Sequence, residues 1–491
     1  MRTYRFYPIV AIILLTLMSV TVSAQTAVDI PNTHAGKQLD KFIQALNSGE
    51  EESWKAYVLQ EQKALDSIEV LTRRLDFFRQ IFDDLGGMEI HKIVKSSEYS
   101  ITALVKGINP SGPFEWVEFA LHYDDQPPYG WASIGMQPAH DPNEVLPEGE
   151  LTKEMLTDFL DNYIDTLVAQ DKFSGAVLVA KNGRPIYKRA DGEACKRYGI
   201  PNKTDTKFNL GSMNKMFTGV AIGQLAQKGK LAFDDYVGKY LPDYPNQAVR
   251  DKVTIHQLLT HTSGMGSYWE ELFEAQWWEI KTVQQLADLT AEKPLDFEPG
   301  ERFQYSNAGP IILGLIIEKI SGLSYDEYIR QNVTGPAGMI NTDCYEVDRP
   351  VPNLAIGYTK SDYEGNSTDI WRNNLFMHAA KGGPAGGGYS TVEDLLHFDL
   401  ALHSDLLLDK EHFDIVTTGK VDMSPKHRYA YLFGDENRNG HRIIGHNGGA
   451  PGINAVLSIY LDLGYTVAVM SNYDHAAGLI ANKIDRLIIG Q

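Results

Sequence analysis

Two hairpin signatures, set far apart in the chain, most constrain what it can fold into. Gly175–Lys181 reads as an apolar strand, Asn182-Gly183 as a tight turn, and Arg184–Arg189 as the returning strand. Far downstream, Ala455–Leu461 and Tyr465–Ser471 flank a turn at Asp462-Leu463-Gly464, and a closing helix follows through Leu479, Ile480, Ile484 and Leu487. A helical stretch marked by Met155, Phe159, Tyr163 and Leu167 precedes the first hairpin. Hairpins at both ends with helical stretches between them predict one antiparallel sheet covered by helices, built from about Leu151 to Gln491.

A separate unit is expected over 32–137. Leu39, Phe42, Ile43 and Leu46 mark one amphipathic helix, and Leu71, Leu75, Phe78, Ile81, Phe82 and Leu85 mark a second, ended by Gly86-Gly87. Four strand-like runs follow, Glu89–Lys95, Tyr99–Lys106, Phe114–Tyr123 and Trp131–Met136. Two helices followed by an antiparallel sheet make a small α+β domain. Its order resembles the cone-shaped folds related to nuclear transport factor 2. No titratable constellation marks it, so packing or docking support is its expected role. Residues 138–150 hold three prolines and Gly149 among acidic residues and read as a linker.

Met1–Ala24 has the layout of a secretory signal: Arg2 and Arg5, an apolar run from Ile9 to Met18, then Val22-Ser23-Ala24 before Gln25. A secreted or periplasmic location is expected, with no stable membrane insertion after cleavage. A formal net charge of −19 repels phosphate backbones and anionic lipid, so nucleic acid is not an expected partner. Cys195 and Cys344 are the only cysteines and read as buried free thiols, although export permits a disulfide. There is no H-E-x-x-H and no paired C-x-x-C, so neither a metal nor another cofactor is expected. The glycines over 382–388 do not form G-x-G-x-x-G, and G-x-S-x-G is absent, which removes dinucleotide binding and the α/β-hydrolase fold. Nothing in the sequence speaks to oligomeric state.

The chemistry concentrates at Ser212-Met213-Asn214-Lys215. Phe208–Gly211 reads as a short extended segment with a glycine joint, and Met216, Phe217, Val220, Ala221 and Leu225 predict a helix starting about at Ser212. Residues three apart share a face, which sets Lys215 one turn from the Ser212 hydroxyl. Taken alone, a serine at a helix start is an ordinary N-cap. Downstream, Tyr305-Ser306-Asn307 follows the turn Glu298-Pro299-Gly300-Glu301, and His446-Asn447-Gly448-Gly449 ends a strand-like run.

In this order the three motifs resemble the serine β-lactamase and penicillin-binding-protein superfamily, closest to class C-type β-lactamases and their esterase and D-aminopeptidase relatives. Ser212 and Lys215 match S-x-x-K, Tyr305 and Asn307 match Y-x-N, and His446-Asn447-Gly448 stands where the group carries K-T-G or H-x-G. Leu258–Gly264 and Gly386–Thr391 agree as structural hallmarks. The resemblance implies an α+β or α/β fold: an antiparallel sheet flanked by helices, plus an all-helical region, with the active site between them. It implies Ser212 as nucleophile, Lys215 and Tyr305 as its proton-handling partners, Asn307 as an orienting group, and the amides of Ser212 and Gly449 as an oxyanion hole.

The residue types suit that role. An alcohol needs a base to become a nucleophile. A lysine in a dry pocket tends toward the neutral amine, whereas a cationic Lys215 would instead draw the Tyr305 phenol down, so the base is left open between the two. A histidine in the third motif is mostly neutral at pH 7, which turns expectation from carboxylate-bearing β-lactams toward small esters, amides or D-amino-acid peptides. A D,D-carboxypeptidase or β-lactamase is the alternative enzyme, and a non-turnover acyl-ligand sensor or docking protein the alternative of another class. Trp269, Trp277 and Trp278 are expected in the cleft wall or the core.

Overall fold

Thr33 opens the first folded unit. Its hydroxyl accepts the Gly36 amide at 3.1 Å and caps helix α1 (His34–Asn47), whose Leu39, Phe42, Ile43 and Leu46 are buried as one stripe. The computed structural model describes residues 28–490 except 62–67, 111–113, 127–129, 148, 150, 275–276, 363–366 and 425, so the signal expected over 1–24 lies outside the described residues. Two compact units divide the chain at His140 and Asp141.

In the first unit, α1 is followed by α2 (Glu51–Glu61), α3 (Ile68–Leu85) and a meander of β1 (Met88–Ser96), β2 (Ser100–Gly107), β3 (Trp116–Tyr123) and β4 (Trp131–Pro138), each strand antiparallel to the next. Helix α2 is absent from the sequence reading. Among its described residues the buried set is Trp54, Tyr57 and Val58, too brief a stripe to stand out from its charged neighbours. Aromatic rings fill the core. Phe42 lies 4.6 Å from Phe78, 4.9 Å from Phe119 and 5.7 Å from Tyr57, between ring centroids.

The second unit begins with α4 (Lys153–Ala169), capped by Thr152, and the hairpin β5 (Gly175–Lys181) and β6 (Arg184–Asp191). Asn182 and Gly183 take φ of 49° and 73°, as a two-residue hairpin turn of the primed kind requires. Helices α5 (Lys215–Gln227), α6 (Ile255–Leu259), α7 (Ala308–Ser321) and α8 (Val392–His403) follow. Strands β7 (Val421–Ser424), β8 (His427–Tyr429), β9 (Gly434–Arg438), β10 (His441–Ala450), β11 (Ile453–Tyr460) and β12 (Tyr465–Ser471) and helix α9 (Ala476–Ile489) close the chain. The large sheet runs β7-β8-β9-β10-β11-β12-β5-β6 with every neighbouring pair antiparallel. The architecture is therefore α+β rather than α/β, and the two predicted hairpins meet at β12 and β5, with Val467 opposite Val179.

Among the described residues, no strand lies between α5 and Tyr358, which makes that stretch the all-helical part. Helix α5 runs through the middle, with every residue from Lys215 to Leu225 buried. Phe217 meets Phe398 of α8 edge-on at 5.0 Å, and full burial of each ring contributes roughly 1.5–3 kcal/mol. Within 138–150, Pro138 ends β4, but Glu144 pairs with Lys483 and Arg486 of α9, and Leu146 is buried in the core that includes α4 and α9. Cys195 and Cys344 are both free and buried. No single helix among the described residues is long and apolar enough to cross a membrane.

Candidate active site

Ser212 does not cap a helix. It sits inside a 3-10 turn, Gly211–Asn214, that runs directly into α5 at Lys215. The sequence expectation of a plain α-helical start is corrected here, and the difference has a consequence. Residues three apart eclipse in a 3-10 turn, so Lys215 stands over Ser212, and its Nζ lies 3.1 Å from Ser212 Oγ. The turn is anchored from behind by the two-residue strand Phe208–Asn209, which pairs with Tyr389–Ser390, and Leu210 N donates to Gly388 O at 2.7 Å.

Lys215 is wholly buried. Its Nζ also reaches Asn307 Oδ1 at 2.9 Å and the Ala385 carbonyl at 2.5 Å. Both partners only accept, so each takes one N–H and the third direction of Nζ points at Ser212 Oγ; once the amine is deprotonated, that is where its lone pair lies. Burial lowers the lysine to about 7, so the neutral amine is well populated at neutral pH.

Tyr305 and Asn307 arrive on the loop before α7. Asn307 occupies the cap position of α7 but makes no side-chain cap, because its oxygen is committed to Lys215; Ser306 Oγ accepts the Gly309 amide at 2.9 Å instead. Asn307 Nδ2 donates to Ser267 Oγ at 3.4 Å. The Tyr305 ring centroid is 4.9 Å from Lys215 Nζ, and its hydroxyl bonds Ser212. The ring as a whole keeps 40% exposure while its hydroxyl end is enclosed, and burial pushes the phenol up to about 12, against the pull of the Ser212 hydrogen bond. Of the two bases left open by the sequence, the neutral amine is therefore the one the resting site favours.

The third motif lies on β10 beyond its pairing with β9, which stops at Gly445. There the strand runs against the 3-10 turn. A Cβ on Gly448 would fall 1.9 Å from Leu210 O and 2.9 Å from Ser212 N, and a Cβ on Gly211 would fall 2.9 Å from Gly449 N. Only glycine permits this approach, which brings the amides of Ser212 and Gly449 to one edge of the site. Half-buried His446 joins them. Loss of solvation, reinforced by Lys215 whenever that amine is protonated, holds its imidazole down to about 4, so it is neutral at pH 7.

Ser212, Lys215, Tyr305, Asn307, His446, Gly448 and Gly449 thus converge. Trp269 and Trp277 pack against the main core, and Trp278 is exposed. Sequence reasoning missed the Ala385 carbonyl, although the glycine-rich run around it signalled close backbone approach. It placed His261 only within the structural hallmark Leu258–Gly264 and missed Tyr429. His261 lies 4.4 Å from the Tyr305 ring, accepts the Ser306 amide at 3.2 Å, and meets the Tyr429 hydroxyl at 3.0 Å.

A family model described as Beta-lactamase matches residues 160–489, the greater part of the chain. The chain belongs to the beta-lactamase family. Membership in this serine β-lactamase and penicillin-binding-protein superfamily makes it a serine hydrolase. Penicillin-binding protein 4* of Bacillus subtilis is 32% identical over 351 residues, covering 68% of this chain and 76% of its own. Esterase EstB of Burkholderia gladioli is 34% identical over 310 residues, covering 56% of this chain and 78% of its own. Among solved structures, a penicillin binding protein from Bacillus halodurans superposes with a TM-score of 0.60 at 31% identity, over 66% of this chain and 99% of that one. The family match begins inside α4, so it does not extend to the first unit.

Proposed function

We propose that the chain is an exported serine hydrolase that forms an acyl-enzyme on Ser212 and cleaves small esters, amides or D-amino-acid peptides. One observation carries the reading: Lys215 Nζ stands 3.1 Å from Ser212 Oγ in a dry pocket, with its other two directions filled by acceptors. Neutral Lys215 takes the Ser212 proton as Oγ attacks the acyl carbon. The amides of Ser212 and Gly449 receive the oxyanion, each such donor being worth roughly 10²–10³ in rate. Tyr305, a phenol at neutral pH, hands its proton to the leaving group and regains one from the Lys215 ammonium. Water then attacks the acyl-enzyme by the same route. Export rests on the signal-like residues 1–24, and a mature chain beginning at Gln25 is expected from N-terminal mass mapping.

Similarity to penicillin-binding proteins favours a second reading, a D,D-carboxypeptidase or β-lactamase. Neutral His446 in place of a fixed cation weighs against it. Intact-mass analysis with a fluorophosphonate, a chromogenic cephalosporin and short acyl esters separates these cases. Wild type should take one phosphonyl adduct and release ester product repeatedly, and Ser212→Ala should do neither. A single acylation that stalls would indicate a sensor. Parental ester turnover by Ser212→Ala would remove Ser212 from the mechanism.

A further inference from the structure

His446 has both ring nitrogens occupied from within the protein. Nδ1 lies 2.5 Å from the Asn447 carbonyl, which can only accept, so Nδ1 carries the hydrogen. Nε2 lies 2.9 Å from the Tyr429 hydroxyl. That same hydroxyl lies 3.0 Å from His261 Nε2, and His261 Nδ1 accepts the Ser306 amide at 3.2 Å. The amide fixes the His261 tautomer: Nδ1 is the acceptor, so Nε2–H donates to Tyr429. The phenol then has one consistent role, accepting from His261 and donating to His446 Nε2. Ser306 N–H, His261, Tyr429, His446 and the Asn447 carbonyl form a single directional chain of donors.

We propose that Tyr429 is a positioning residue that holds His446 as one neutral tautomer with no free N–H toward the cleft, so that the site selects acyl donors lacking a carboxylate. This inference rests on the Ser212 hydrolase reading and narrows its substrate class. A protonated His446 would need Nε2 to donate as well. Tyr429 O would then accept from both histidines, and its own buried O–H would be left without an acceptor. The charges around His446 do not oppose this. Lys215 and His427 both act against a charge on it, Glu436 of β9 lies beside His427, and Asp435 of β9 pairs with Arg442. His261 and Tyr305 complete the surroundings as uncharged rings.

The test compares an aryl butyrate with the matching aryl hemisuccinate on the full chain, as the ratio of the two kcat/KM values between pH 5.5 and 8. The ratio cancels Lys215 as base, and the effect of its charge on the carboxylate is common to every variant, so each ratio is read against wild type at the same pH. Wild type should favour the butyrate at every pH in this range. In Tyr429→Phe the donor at His446 Nε2 is gone and only burial and Lys215 still oppose a proton there, so His446 should titrate at a higher pH than in wild type and the hemisuccinate should gain several-fold, at most roughly tenfold, relative to the butyrate at the acid end. In Tyr429→Phe/His446→Gln that pH dependence should vanish. A parental ratio in Tyr429→Phe at every pH, or a pH-dependent gain that survives in the double variant, overturns the proposal. Nitrogen-15 histidine spectra decide the same point without turnover: two neutral, non-titrating imidazoles with opposite tautomers in wild type, one of which titrates in Tyr429→Phe. If the spectra behave so and neither ester is hydrolysed, the hydrolase reading has failed while the histidine lock stands. If esters are hydrolysed and His446 titrates in wild type, the lock alone has failed.

Discussion

Lys215 is held near 7 because burial penalises its charge while two carbonyl acceptors fix the direction of its lone pair. The rate on a neutral ester should therefore rise with pH through a midpoint near 7 as the ammonium loses its proton. Tyr305, at about 12, should impose no falling limb below pH 10. A kcat/KM profile with no rising limb between pH 6 and 8 would count against the amine as base. The same residue predicts a stability signature. Its folded value lies below the unfolded 10.5, so the unfolded chain holds more protons between pH 7 and 10.5, and folding strengthens as pH rises through that window. Against Lys215→Met, which cannot titrate, wild type should gain up to roughly 5 kcal/mol of relative stability from pH 7 to 10.5. Urea unfolding at a series of pH values reads this difference, and a flat result would refute the buried-amine account.

Among the elements, the contact of β10 with the 3-10 turn decides the site. Gly448 is the sensitive point, since a Cβ there would overlap Leu210 O at 1.9 Å. Gly448→Ala should push the strand off the turn and separate the Ser212 and Gly449 amides. A displacement of that size is expected to lower kcat/KM by roughly 10² or more. Near-parental kinetics in this variant would mean that the strand does not help build the oxyanion site. The hairpins were legible because Asn182-Gly183 and Asp462-Leu463-Gly464 interrupt clean apolar runs. The brief α2 was not, and neither was the 3-10 character of Gly211–Asn214, which packs against the backbone of Gly386–Gly388 and Gly448 from far along the chain.

On the scale of the whole molecule, the catalytic unit begins earlier than proline content suggests. Leu146 is buried and Glu144 bridges Lys483 and Arg486, so a chain starting at Leu151 loses one core side chain and a paired network. It should melt several degrees lower than a chain starting at Asp141, by calorimetry, in line with the roughly 2 kcal/mol or more expected from losing a buried leucine. Equal melting temperatures would return 141–150 to the role of a passive linker.

The amino-acid sequence by itself determined the α+β hairpin framework, the family, and the seven residues that meet at Ser212. Period-2 and period-3.6 patterns, turn dipeptides and motif order are local properties that survive without coordinates. Tertiary structure alone decided that Lys215 is buried beside Ser212, which carbonyl orients it, and that His261 and Tyr429 stand behind His446. Those outcomes depend on desolvation and on hydrogen-bond partners brought together from distant parts of the chain, and neither is written into any local stretch of residues.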